Sequence, residues 1–112
     1  MASIGEVWLV DFGHAFPDEP AELRPAMVVG PSALFGDDRP FMMLTPMTSR
    51  HRGLSLHVEV EPTLANGLST TSYIQCERLR SVSRRRLIAR IGRVDDMVLD
   101  RVRAIVAVLL DL

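Results

Sequence analysis

The sequence predicts a mainly β fold with one helix: a small, strongly curved antiparallel sheet or small barrel sealed by a C-terminal α-helix. Three observations lead there. Short apolar runs punctuated by Gly, Pro and Asn recur along most of the chain. One of these runs alternates apolar and polar residues with the period of a half-buried strand, and only the last stretch has helical spacing.

The elements follow in order. Residues 5–12, with Glu-Val-Trp-Leu-Val-Asp at their centre, are rich in strand formers and end at Gly13. From Gly13 to Arg24 come prolines and acids without periodicity, a long loop of the kind that serves as a lid or binding element. Pro25 opens an apolar run to Gly30, consistent with a buried strand whose first residue needs no ladder donor. A third run, Phe41 to Met47, is interrupted by Pro46, which predicts a bulge or an edge at that point.

Between Leu54 and Glu61, Leu54, Leu56, Val58 and Val60 alternate with Ser55, His57, Glu59 and Glu61, so one face is core and the other wet. Asn66-Gly67 marks a turn. Ser72 to Cys76 and then Glu77 to Val82 give one or two strands, on which Arg78 and Arg80 alternate and share a face. A short helical turn is expected around Arg84 to Leu87, and residues 88–94 form the last strand, with Gly92 inside it. Asp95 then caps a helix with Asp96 in its first turn, and Val98, Leu99, Val102, Ile105, Val106, Leu109 and Leu110 form its apolar stripe.

With 112 residues and 47% hydrophobic composition, the chain reads as a single domain spanning 1–112 with a modest core. No run approaches the roughly 20 apolar residues of a membrane span, and the N-terminus lacks signal-peptide character, so a cytoplasmic location is expected. One cysteine, Cys76, excludes an internal disulfide framework and suits a buried strand position. The net charge of -1 argues against a nucleic-acid partner, yet it hides a skew: all thirteen basic residues are arginine, and all but Arg24 lie from Arg39 onward. Arginine grips phosphate with a planar fork and stacks on bases, which is compatible with RNA. Genomic base composition is the plainer explanation.

Familiar catalytic signatures are missing: there is no P-loop, Gly-x-Gly-x-x-Gly, His-Glu-x-x-His or Gly-x-Ser-x-Gly. The histidines His14, His51 and His57 are far apart, no metal-ligand spacing links them, and His57 on the wet strand face reads as a surface residue. What recurs is polar residues at the ends of apolar strands. Arg24 stands before Pro25; Thr45, Thr48 and Ser49 flank Met47 and lead into Arg50-His51-Arg52. Arg24 is either the ion-pair partner of Asp18, Glu19 or Glu22 or a phosphate contact, and residue type alone favours the ion pair. The Arg84-Arg85-Arg86 run reads as solvated surface.

Taken in order, these blocks resemble a known family. Gly5-Glu-Val-Trp-Leu-Val-Asp11, Leu23-Arg-Pro-Ala-Met-Val-Val29, Leu44-Thr-Pro-Met-Thr-Ser49, His57-Val-Glu-Val60, Gly67-Leu68, Cys76-Glu-Arg-Leu-Arg-Ser-Val82 and Arg86-Leu-Ile-Ala-Arg-Ile-Gly92 are similar, across essentially the whole chain, to the MazF/PemK (Kid) toxins. The resemblance implies an SH3-like, strongly bent sheet with a C-terminal helix, shared with the CcdB gyrase poisons. It also implies a type II toxin that cuts single-stranded RNA without metal or cofactor, by attack of a ribose 2′-hydroxyl on its own 3′-phosphate. Arg24 and Thr48 match the positions regarded as the catalytic pair, with Glu19 or His14 as candidate bases. His14, Phe16, Arg50, His51, Arg52, Glu77, Arg78 and Arg80 would line the RNA channel.

Two departures stand out: Pro17-Asp-Glu-Pro20 replaces the family's common Gly-Ser-Glu-Gln-like loop, and Glu77 replaces a common Gln. A carboxylate at that second position repels phosphate unless it is paired. The resemblance further implies a homodimer and a MazE-like antitoxin whose acidic tail competes with RNA. Two alternatives use the same fold: a CcdB-like gyrase inhibitor without catalysis, and an inactive relative that binds only antitoxin or RNA. The apolar finish Ala107-Val-Leu-Leu-Asp-Leu112 and the retained Arg24 and Thr48 speak against the gyrase inhibitor.

Overall fold

The computed structural model describes residues 2–13 and 23–112, which contain seven strands, three short 3-10 turns and one α-helix. The strands are β1 (Glu6–Asp11), β2 (Leu23–Gly30), β3 (Phe41–Thr48), β4 (His57–Val60), β5 (Ser72–Gln75), β6 (Arg80–Ser83) and β7 (Leu87–Arg93); the helix is α1 (Asp96–Leu109). Every pairing is antiparallel, in the order β4-β5-β3-β2-β1-β7, with β6 beside β3 off that path. Among the described residues the path ends at β4 and at β7, so the sheet bends without closing into a barrel.

The bend originates in β3. One of its edges pairs with β2, while the other pairs with β6 over residues 41–44 and with β5 at Met47 and Thr48. Pro46 lies where that edge exchanges partners, which is the free-edge position a strand proline tolerates. The bulge expected at Pro46 does not occur there: the ladder to β2 runs through Thr45 and Pro46 without a shift, and the irregularity falls between Val28 and Gly30.

Because β2 and β3 are covered on both faces, they read as near-continuous apolar runs. Met27 and Met47 face one core cluster with Val7, Val58, Ile74, Leu99 and Val102. Ala26, Val28, Met42 and Leu44 face a second one with Val10, Phe12 and Val82.

Several boundaries differ from the expectation. β2 begins at Leu23, so Leu23 and Arg24 belong to the strand and not to the preceding loop; Arg24 pairs with Val10 and Pro25 with Leu9. The rest of that loop, residues 14–22, lies outside the described residues. The alternating strand is shorter than its pattern: Leu54 is exposed, and a turn in which the His57 amide donates to the Leu54 carbonyl (3.1 Å) precedes β4.

Glu77 and Arg78 are not on a strand. Cys76–Arg78 is a 3-10 turn closed by the Leu79 amide on the Cys76 carbonyl, so Arg78 and Arg80 do not share one strand face. The turn at Arg84–Arg86 forms as expected.

The helix starts where the cap predicts: the Asp95 carboxylate accepts from the Val98 amide at 2.9 Å. Leu99 and Val102 are buried against β4 and the Cys76–Arg78 turn, with Val98, Ile105 and Val106 partly covered. The stripe outruns the sheet. Leu109 and Leu110, at its end, are 42% and 55% exposed among the described residues.

Two glycines fix the 61–67 loop against β7. A Cβ on Gly67, whose φ is +68°, would lie 2.2 Å from the Ile91 carbonyl oxygen, and one on Gly92 would lie 2.4 Å from that of Ala65. The contact they permit is the Arg93 amide donating to the Ala65 carbonyl at 2.9 Å. Gly92→Ala is therefore expected to destabilise the fold by about 2 kcal/mol or more, because backbone on both sides must move. Asp95→Ala is expected to cost about 1 kcal/mol through loss of the cap alone. Urea unfolding of both variants checks the two values, and a Gly92→Ala protein as stable as the parent would contradict the close approach.

Candidate active site

Strand register assembles the polar residues. Directly opposed residues share a face. Thr48 is opposite Tyr73, Tyr73 is also opposite Glu59, and Gln75 is opposite His57, so these five lie on one face of β3, β5 and β4. On β2 the ladder to β3 ends at Ala26↔Pro46, and Arg24, two residues before Ala26, lies on the same strand face as Ala26. Along β3 the face carries Met42, Leu44 and Pro46 before Thr48. It is apolar core beside β6 and becomes a polar surface where β5 takes over.

Arg24 and Thr48 both line an open groove of about 330 Å³, together with Pro25, Met47, Ser49 and Ser72. The Arg24 Nη1 donates to the Met47 carbonyl at 3.2 Å, which fixes the guanidinium across the strand end. Its Nε is buried without a partner. The Thr48 Oγ1 accepts from the Arg50 amide at 3.2 Å, leaving its proton available to another acceptor. Burial, and then the charges of Arg52 and Arg78, pull the Arg24 pKa below the ordinary arginine value. The charges of Arg52 and Arg78 thus act on Arg24, and among the described residues no carboxylate forms a salt bridge with Arg24 or Arg52.

The neighbouring part of this face corrects the reading of His57. It is not a surface histidine: its side chain is 3% exposed, and its Nε2 lies 3.0 Å from the Glu77 Oε2. The strand pattern did place it beside Glu59, but the Cys76–Arg78 turn brings Glu77 to its ring, which periodicity does not register. The same Glu77 oxygen is 4.0 Å from the Arg78 Nε. The His51 ring packs against Tyr73 with centroids 5.0 Å apart.

The other expected residues are spread more widely. Arg50 is exposed beside Thr48, and Arg80 lies over the Phe12 ring at 5.4 Å, at the edge of the second core cluster. Arg84 and Arg86 donate to the carbonyls of Asp37 and Asp11 at the surface. His14, Phe16 and Glu19, and the ion pairs considered between Arg24 and Asp18, Glu19 or Glu22, fall outside the described residues. Among the described residues no trio of His, Cys, Asp or Glu is placed to hold a metal ion. Tyr73 and Gln75 were not singled out from sequence. Their alternation with Ser72 and Ile74 marks a polar strand face, but only the pairing with Thr48 and His57 tells which site that face joins.

Comparison with known proteins agrees with this architecture. Residues 3–110 match the family described as PemK-like, MazF-like toxin of type II toxin-antitoxin system. The chain is similar to MazF of Deinococcus radiodurans, with 26% identity and a TM-score of 0.82 over 99% of this chain and 97% of that one. It is similar to the same organism's MazE-MazF complex at 26% identity, with a TM-score of 0.79 over 99% and 96% of the two chains. An endoribonuclease in complex with its cognate antitoxin, from a mycobacterial species, shares the fold at 17% identity, with a TM-score of 0.79 over 100% and 97%. No helix among the described residues is long and apolar enough to cross a membrane. A match that spans nearly the whole chain settles the assignment: this protein belongs to the PemK-like, MazF-like family of type II toxin-antitoxin toxins.

Proposed function

We propose that this toxin is a metal-independent endoribonuclease that cleaves single-stranded RNA in the Arg24–Thr48 groove. The observation that carries this reading is the arrangement of a fixed, partly buried guanidinium and a hydroxyl lining one groove, inside a field of further arginines. Such a groove favours a polyanion, because the mutual repulsion of Arg24, Arg52 and Arg78 is relieved when phosphate enters.

The reaction has the ribose 2′-oxygen attack the adjacent phosphorus while the bond to the 5′-oxygen breaks, leaving a 2′,3′-cyclic phosphate and a 5′-hydroxyl end. The nucleophile belongs to the substrate, so neither external water nor a metal-bound hydroxide is required. Arg24 stabilises the negative charge gathering on the phosphorane, and the Thr48 hydroxyl donates to a non-bridging oxygen. The proton taken up by the departing 5′-oxygen is placed with Arg24, the charged N–H donor that lines the groove with Thr48. Glu19 and His14, which lie outside the described residues, are the candidates for the base that accepts the 2′-proton. Arg50, Arg52 and Arg78 hold flanking phosphates, and the His51–Tyr73 pair offers rings on which a base stacks.

The toxin acts as a homodimer restrained by a MazE-like antitoxin. The exposed apolar residues Val108, Leu109, Leu110 and Leu112 support the dimer, because a chain of this size gains core by covering them. The Deinococcus MazE-MazF complex supports the antitoxin partner.

Purified protein incubated with a long RNA is expected to cut it equally well with and without EDTA. Loss of cutting in chelator would refute the metal-independent route. Arg24→Ala and Thr48→Ala are each expected to lower kcat by about 100-fold or more, the scale on which removal of one transition-state donor acts, with the native circular dichroism retained. Near-parental cleavage by the Arg24 variant would remove it from the catalytic role.

A further inference from the structure

We propose that His57 is a positioning residue that holds the Glu77 carboxylate off the cationic groove, so that Arg78 and Arg24 stay open to a polyanion; the proposal rests on the RNA-cleaving reading above. A single oxygen, the Glu77 Oε2, faces two donors: the His57 Nε2 at 3.0 Å and the Arg78 Nε at 4.0 Å. The nearer donor is also the fixed one. The His57 side chain is 3% exposed, whereas those of Glu77 and Arg78 are 27% and 30% exposed and free to turn.

Without the imidazole, the carboxylate has one strong donor left beside it, the Arg78 guanidinium, whose charge acts on Arg24. Swung onto Arg78, Glu77 would put a negative charge where phosphate must pass and would neutralise an arginine that phosphate needs. Among the described residues the ring's other nitrogen, Nδ1, is buried without a partner, and so is the Oε1 of Gln75, the residue opposite His57 on β5. Among the described residues the only polar anchor of the His57 ring is therefore Glu77, and the two side chains fix each other. A neutral ring suffices, with the proton on Nε2 donated to the carboxylate.

The test measures binding of a single-stranded oligonucleotide whose riboses are 2′-deoxy, so that affinity is read apart from cleavage. His57→Leu, which fills the buried volume but offers no donor, is expected to bind about tenfold more weakly at low salt, with the deficit shrinking as salt rises. Adding Glu77→Gln to that variant removes the carboxylate and is expected to restore most of the loss. His57→Gln keeps a donor and is expected to stay within about threefold of the parent, which preserves the test should His57→Leu not fold. A His57→Leu/Glu77→Gln protein as weak as His57→Leu, a His57→Leu protein that binds like the parent, or a tenfold loss in His57→Gln each overturns the proposal. Binding that follows the predicted pattern in a protein unable to cut the matching RNA would remove the ribonuclease reading and leave the role of His57 standing. Cutting without the pattern removes only the role of His57, and a parent that binds no oligonucleotide overturns both.

Discussion

The site depends on one strand exchanging partners. β3 is paired with β2 on one edge, but on the other it leaves β6 and joins β5, with Thr45 and Pro46 at the crossing. A face that is packed apolar core beside β6 therefore emerges as a polar groove beside β5 without any break in the strand. Thr48 is the first polar residue of that face after the exchange, and Arg24, bonded to the Met47 carbonyl, lines the same groove. Because a strand alternates faces at every residue, a shift of one position in the β2–β3 ladder would send Arg24 to the opposite side. The buried methionines Met27, Met42 and Met47, each committed to one core or the other, hold that register.

The electrostatics follow from that placement. Arg24 is partly desolvated and feels two more guanidinium groups, an arrangement that costs free energy in the empty protein. Among the described residues its Nη1 is tied to a main-chain carbonyl and not to a carboxylate, which fixes its orientation. Glu77 is the carboxylate nearest this field, and it is held by His57 at 3.0 Å.

The C-terminal helix shows a different division. Its first half seals the core between the sheet's two arms through Leu99 and Val102, and its end leaves Leu109 and Leu110 uncovered. An amphipathic stripe longer than the surface it packs on is the mark of an element that meets something beyond its own chain.

Amino-acid order alone determined the mainly β architecture, the capped terminal helix, the turn at Asn66-Gly67 and the family, because strand alternation, helix caps and turn chemistry act over a few residues. Arg24 and Thr48 were legible through resemblance, as members of ordered blocks. Local pattern put His57 on the right face but could not show that Glu77 covers it, and it misplaced Glu77 and Arg78 on a strand. It also overlooked Tyr73 and Gln75. The burial of His57 beneath Glu77, the convergence of Arg52 and Arg78 on Arg24, and the open rather than closed sheet were decided only in three dimensions. Each depends on which residues from distant segments meet, and cross-strand register, not local propensity, sets those meetings.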